Sequence, residues 1–183
     1  VEVVKLYRSG SGQGNINAIQ RLARCYTDGR GVKQDKEEVK RLYIEISKVA
    51  ISESNVVEWK EDGEIQWEFD KRDGRLIIKG KGPLEDYANG RKTCQMRNYS
   101  LSSAVPWLNQ YNDQISSVVI CYGISSVGNS AFYWCRTLIS VILPNSVTSI
   151  GDAAFQGCGG ITSITISKSV NYIGSKSFLN CVG

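Results

Sequence analysis

Glu68 and Asp70 stand two residues apart in the stretch IQWEFD. A strand would place them on one side, opposite Trp67 and Phe69, and paired carboxylates at a suitable separation are the machinery of glycoside hydrolysis. The competing reading, favoured here, is the solvent-facing edge of a hairpin turned by Lys71-Arg72-Asp73-Gly74. Other chemistry has less to stand on. No histidine occurs in the 183 residues, which removes the imidazole that Ser and Cys nucleophiles usually need. Six cysteines are present without a C-x-x-C, so zinc and haem motifs are absent. Gly10-Ser11-Gly12-Gln13-Gly14 has the glycine content of a phosphate loop, yet it follows a helical pattern where that motif requires a strand, and it reads as an interhelix turn. Asn98-Tyr99-Ser100 fits a glycosylation sequon, a pattern that arises too easily by chance to carry weight. The expectation is a chain without catalytic residues, cofactor, metal or small-molecule substrate.

The elements that would position any site are repeats. Between Ser117 and Cys181 the chain returns to itself every 23 residues, aligning Phe132, Phe155 and Phe178, then Cys135, Cys158 and Cys181. Val127, Ile150 and Ile173, each followed by Gly, keep the same step. A fixed period of this kind marks units that bury their apolar sides only by stacking. Alternation within each unit puts Val118, Ile120, Val141, Leu143, Ile164 and Ile166 inside, and Ser140, Ile142, Ser163 and Thr165 outside. Val147, Ile150, Phe155, Cys158 and Ile161 complete the inward ring. Each such side chain contributes roughly 1.5–3 kcal/mol when buried, so a unit holds only under its neighbours. Pro144 ends a strand where a missing donor is tolerated, and Gly128, Gly151 and Gly174 mark bends that a side chain would obstruct. Cys135, Cys158 and Cys181 form one inward column, with units about 4.8 Å apart; their parallel vectors and odd number argue for buried thiols, not bridges. Cys25 lies on an apolar helix face, and Cys94 with Cys121 is the one plausible pair.

These units resemble the BspA-type leucine-rich repeat family, whose pattern reads approximately L-x-S-I-x-I-P-x-S-V-T-x-I-G-x-x-A-F-x-x-C. Proline is kept at Pro144 and replaced by Cys121 and Ser167; the position before the cysteine, often Gly as at Gly157, is Trp134 and Asn180 in the other units. The resemblance extends to residues 65–87 and Pro106-Trp107, which are similar to the β-rich segment that caps such repeats. At the other end, NAIQRLARCYTDGRGVKQDKEEVKRLY places Ala18, Leu22, Ala23 and Tyr26 on one helical face, breaks at Gly29 and Gly31, and restarts at Asp35 with Glu38 at capping-box spacing. Val39, Leu42 and Tyr43 line the second helix, and Glu2, Val3, Leu6 and Tyr7 match Glu38, Val39, Leu42 and Tyr43 at an offset of 36. This stretch resembles the Sel-one-like repeat, a relative of the tetratricopeptide unit.

The expected fold is therefore an α+β repeat protein: Sel-one-like helices over 1–50, a β-rich cap over 51–113, and a leucine-rich-repeat β-solenoid of 23-residue units over 114–183. Both ends fall within a unit, which reads as a segment of a longer protein; the alternative is a naturally short end with Val182-Gly183 as a frayed last coil. Net charge is +4, with ten Lys/Arg against six Asp/Glu in residues 1–48 and three against two in residues 111–183. So diffuse an excess argues against nucleic acid, whose binding needs a clustered basic surface. No run of 18 apolar residues suggests a membrane span.

Candidate contact residues are the outward positions Ser140, Ile142, Ser163 and Thr165, the variable-position tyrosines Tyr122 and Tyr172, and the pair Tyr133 and Trp134. Trp134 either projects or covers the end of the β-rich cap. A further candidate is the long loop from Ala88 to Ala104 with Arg91, Lys92 and Arg97. The BspA-type resemblance implies a bacterial or protist surface or secreted adhesion protein whose partner is a protein, such as one of the host extracellular matrix or cell surface. The alternatives are a cytoplasmic adaptor using both repeats, and the targeting arm of an enzyme whose catalytic domain lies elsewhere.

Overall fold

The structure, a computed structural model, describes residues 2–54, 59–81, 84–88, 92–100 and 105–182. It divides into two compact units, residues 1–54 and 55–183.

The first unit is three helices: α1 (Glu2–Gly12), α2 (Ile16–Asp28) and α3 (Lys36–Glu53). Their ends follow from local chemistry. Asn15 caps α2, its Oδ1 accepting the Ala18 N–H at 3.0 Å, and Gly29 closes the helix at φ 73°, a left-handed turn that suits a residue without Cβ. Asp35 caps α3 by accepting the Glu37 and Glu38 amides at 3.0 Å each. The reciprocal arm of the box is missing: Arg41 donates to Glu38 at 2.7 Å, a charge-assisted bond stronger than one from a neutral amide, and the Asp35 N–H donates to Tyr26 O instead. Ile19, Leu22 and Ala23 of α2 and Val39, Leu42, Tyr43, Ile46 and Ala50 of α3 are buried. The glycine-rich stretch closes α1 and turns into α2, with the Gln13 and Asn15 amides donating to Gly10 O.

The second unit opens with β1 (Lys60–Asp62), β2 (Ile65–Asp70) and β3 (Arg75–Gly80), paired antiparallel. Ile65, Trp67 and Phe69 are buried while Gln66, Glu68 and Asp70 are half-buried, the alternation that the sequence implies. β3 then pairs in parallel with β5 (Ser117–Ile120), and β5 with β7 (Ser140–Ile142), giving the order β1-β2-β3-β5-β7. A second, parallel sheet takes one short strand from each successive repeat: β4 (Cys94–Gln95), β6 (Ile124–Val127), β8 (Ser149–Ile150) and β9 (Tyr172–Ile173). Helices α4 (Leu84–Ala88) and α5 (Pro106–Tyr111) lie in the connections that precede β5. Ser117 stands opposite Ser140, and Ser126, Ser149 and Tyr172 follow one another across the second sheet. One apolar cluster joins the antiparallel strands to the repeats, running from Ile65, Trp67 and Trp107 through Val118 and Val141 to Phe155 and Ile161.

Two readings of inside and outside are corrected. Ile142 does face away from Val141 and the core cluster, but it is only 4% exposed. It stands in register with Val119 and Ile77, both also buried. These parallel strands are covered on both faces, which is why RLII, SVVI and SVIL are nearly continuous apolar runs. Ile166, expected inside, is 37% exposed and residues 163–167 pair with no strand, although Ile164 packs against the core. In the structure no further repeat stacks on this last one, and a repeat buries its ring only under a neighbour. The same exposure reaches Ile173 and Leu179.

Candidate functional site

The surface is displayed by rows of residues held in step from within. Phe132, Phe155 and Phe178 stack with centroids 5.1 and 5.4 Å apart and planes 11° and 7° from parallel. Trp107 continues the column 6.0 Å from Phe132 and donates its Nε1–H to Ala131 O at 2.9 Å. Beside the rings, the Cys158 thiol donates to Phe132 O at 3.0 Å and the Cys181 thiol to Phe155 O at 3.1 Å. Each cysteine thus satisfies a carbonyl of the preceding repeat. Burial pushes the Cys135 thiol up to about 12 and Cys158 higher still. All six cysteines are free, Cys94 and Cys121 included.

A polar ladder, not anticipated from sequence, runs parallel to the rings. The Asn129 amide donates to Asn98 Oδ1 at 3.0 Å, the Asp152 amide to Asn129 Oδ1 at 2.8 Å, and the Ser175 amide to Asp152 Oδ1 at 2.7 Å. The signal available was that Asn129 and Asp152 each follow an aligned glycine. Those glycines are required by crowding. A Cβ on Gly128 would lie 1.7 Å from Arg97 O, and one on Gly151 or Gly174 would lie 2.4 Å from Asn129 Oδ1 or Asp152 Oδ1. Asn98, read as a sequon, has its side chain engaged as the first rung.

The candidate residues do not converge on one face. Ser140 and Ile142 lie on β7 of the first sheet, where Ser140 is half-buried and Ile142 closed to solvent. Ser163 is exposed and Thr165 half-buried, in the unpaired stretch of the last repeat. Tyr122 occupies the turn between β5 and β6 and is half-buried. Tyr133 and Trp134 sit on a third side, between β6 and β7, with rings edge-on at 6.2 Å. Trp134 is left-handed at φ 59°, where the aligned Gly157 has φ 77°. Its ring covers Gly157, whose Cβ would come within 2.8 Å of it, and the Arg136 guanidinium lies 4.6 Å from its centroid. Trp134 therefore packs on the next repeat while keeping an exposed edge.

Tyr172 belongs to a more continuous surface. Gln95 pairs with Ser126, Ser126 with Ser149, and Ser149 with Tyr172 across the second sheet. Val127 and Ile150 beside them point into the core, so Ser126, Ser149 and Tyr172 point out. The row is small and polar and ends on a ring 55% exposed. Sequence reasoning found Tyr172 and missed Gln95, Ser126 and Ser149; the legible signal was the aligned residue before Val127, Ile150 and Ile173.

Charge elsewhere is engaged internally. Lys92 pairs with Asp86 and Arg97 with Asp62, each at 3.1 Å; Asp62 also accepts from the Tyr99 hydroxyl. Arg91 and residues 101–104 of the same loop lie outside the described residues. Asp70 is bound by the Arg72 side chain and backbone, which hold its carboxyl down to about 2, whereas burial raises Glu68. The Arg72 bonds leave Asp70 a hairpin constraint. Among the described residues no three His, Cys, Asp or Glu side chains are grouped to hold a metal ion, and no helix is long and apolar enough to cross a membrane.

Residues 109–183 match the family model described as BspA type leucine rich repeat region (6 copies), and this part of the chain is a leucine-rich repeat region of that type. A leucine-rich repeat protein from Eubacterium ventriosum is similar at 29% identity and a TM-score of 0.55, over 66% of this chain and 28% of its own. The chain thus spans little more than a quarter of that protein. Weaker likenesses, both 17% identical, are to a T. pallidum leucine-rich repeat protein (TM-score 0.39, 67% of this chain and 68% of that one) and a leucine-rich cell surface protein of Faecalibacterium prausnitzii (TM-score 0.34, 71% and 53%). No curated protein matches the chain in sequence.

Proposed function

We propose that this chain is a non-catalytic protein-binding module from a cell-surface or secreted adhesion protein, and that its partner is a protein of the host matrix or of another cell. The observation that carries the reading is the BspA-type leucine-rich repeat match over residues 109–183. In this reading the repeats form a β-solenoid of 23-residue units, the strands after Lys60 cap it, and the first three helices are a Sel-one-like scaffold. The binding surface is the row Gln95, Ser126, Ser149 and Tyr172. Three features support that choice. Its hydroxyls and amide offer donors and acceptors at the regular spacing of parallel strands, Tyr172 adds a rigid amphipathic ring, and the ring stack, thiol bonds and polar ladder behind it fix the row before a partner arrives, which lowers the ordering cost of binding.

The six free thiols also fit a reducing compartment, which favours as a second reading an adaptor inside the cell. Immobilised chain, presented in parallel to purified matrix proteins and to lysate of the source cell, separates the two. Saturable capture of a matrix protein, lost in Tyr172→Ala and in Ser149→Glu, is the result expected. Capture of an intracellular protein alone transfers the module to the adaptor reading, and binding unaffected by both substitutions removes the row from the site.

A further inference from the structure

A second interaction surface lies in the helical unit. Val3, Val4 and Tyr7 of α1 form one wall of a cleft of about 430 Å³, and Arg21 and Arg24 of α2, with Arg30 beyond it, form the other. The apolar wall continues outward, since Val3 is 54% exposed and Leu6 68% exposed on the same stripe of α1. Arg30 is paired with Asp28 at 3.4 Å. Arg21 lies 6.0 Å from the centre of the Tyr7 ring, and among the described residues no carboxylate is within ion-pair distance of Arg21 or Arg24.

The chain itself shows what such a stripe accepts. Val3, Leu6 and Tyr7 recur 36 residues later as Val39, Leu42 and Tyr43. On α3, which packs with α2, Val39 is 5% and Leu42 0% exposed. The same three residue types at the same spacing are therefore covered by a helix in one place and open in the other. What distinguishes the open copy is the pair of unneutralised guanidinium groups beside it.

We propose that the α1–α2 cleft and the adjoining Val3–Leu6 stripe form a docking site for an acidic amphipathic helix of a partner protein. Its apolar face lies on Val3, Leu6 and Tyr7, and carboxylates along its edge meet Arg21 and Arg24. Burying the stripe supplies affinity, and the arginines set orientation and exclude basic helices.

The test uses the full chain and a fluorescein-labelled helical peptide of about four turns, with Leu at i, i+3, i+4 and i+7 and Glu along one flank. Anisotropy should report saturable one-to-one binding. The double variant Arg21→Ser, Arg24→Ser should weaken it about tenfold, and replacing the peptide's Glu with Lys should do at least as much. Leu6→Asp should abolish it. All three positions are exposed, and unchanged circular-dichroism melts would confirm that the variants fold. Equal binding of the Lys peptide, indifference to the arginine variants, or no binding overturns the proposal. So does reversible dimerisation of the chain through Leu6 that the Glu peptide cannot compete away.

Discussion

At the scale of single residues, the aligned positions carry the structure by three kinds of contact: ring on ring, thiol on carbonyl, and amide on side-chain oxygen. The phenylalanine and cysteine columns were legible because a large ring or a small apolar thiol recurring at a fixed interval has few places to go but inward. The reason for the glycines was only half legible. Gly128, Gly151 and Gly174 are needed for close approach to the preceding repeat, a distance that no single sequence prints. Trp134 provides a sharp check. A left-handed conformation costs a residue with a Cβ roughly 1–2 kcal/mol and glycine nothing, so Trp134→Gly should be more stable than Trp134→Ala by about 1 kcal/mol, the reverse of the usual order, in urea midpoints of the two variants. The thiols provide another. With burial holding the Cys135 thiol up at about 12, neither it nor Cys158 should react with a disulfide reagent at pH 8 until the chain unfolds, whereas half-buried Cys181 should react first. Rapid native labelling of Cys135 would contradict the column.

At the scale of elements, strand alternation was read correctly in β2, where one face is half-solvated, and misread in β7, where both faces are closed. Period-two patterning separates inside from outside only when the two faces differ in solvent. SVIL carries apolar residues at consecutive positions, and that run was the available evidence that Ile142 is not a contact residue. Ile142→Ser should therefore cost about 2–4 kcal/mol by removing buried apolar volume and burying a hydroxyl, measured by chemical denaturation, while leaving the affinity of the folded fraction for its partner unchanged. A stability change under about 0.5 kcal/mol would return Ile142 to the surface. The capping of α3 shows the same limit: the Asp35 and Glu38 spacing was legible, but not that Arg41 would take the glutamate, because that competition depends on the partner one turn on.

At the scale of the whole molecule, two units carry surfaces of different character. The repeat unit presents a polar row with little charge, and the helical unit a basic, partly apolar cleft. The repeat architecture was visible in the sequence because each repeat must match its neighbour. The binding row was not, because outward residues are constrained by a partner that leaves no mark on the chain's own periodicity; of Gln95, Ser126, Ser149 and Tyr172 only the tyrosine stood out. The central claim is that residues 109–183 bind a protein and do so through the face of the second sheet. Hydrogen–deuterium exchange of the full chain, with and without the matrix protein it captures, tests that claim most directly. The account predicts slowed exchange at the outermost repeats of that face, in the amides of residues 148–150 and 171–173, with the Ile142 segment unchanged. Protection confined to residues 2–54, or to the side bearing Tyr133 and Trp134, would contradict it.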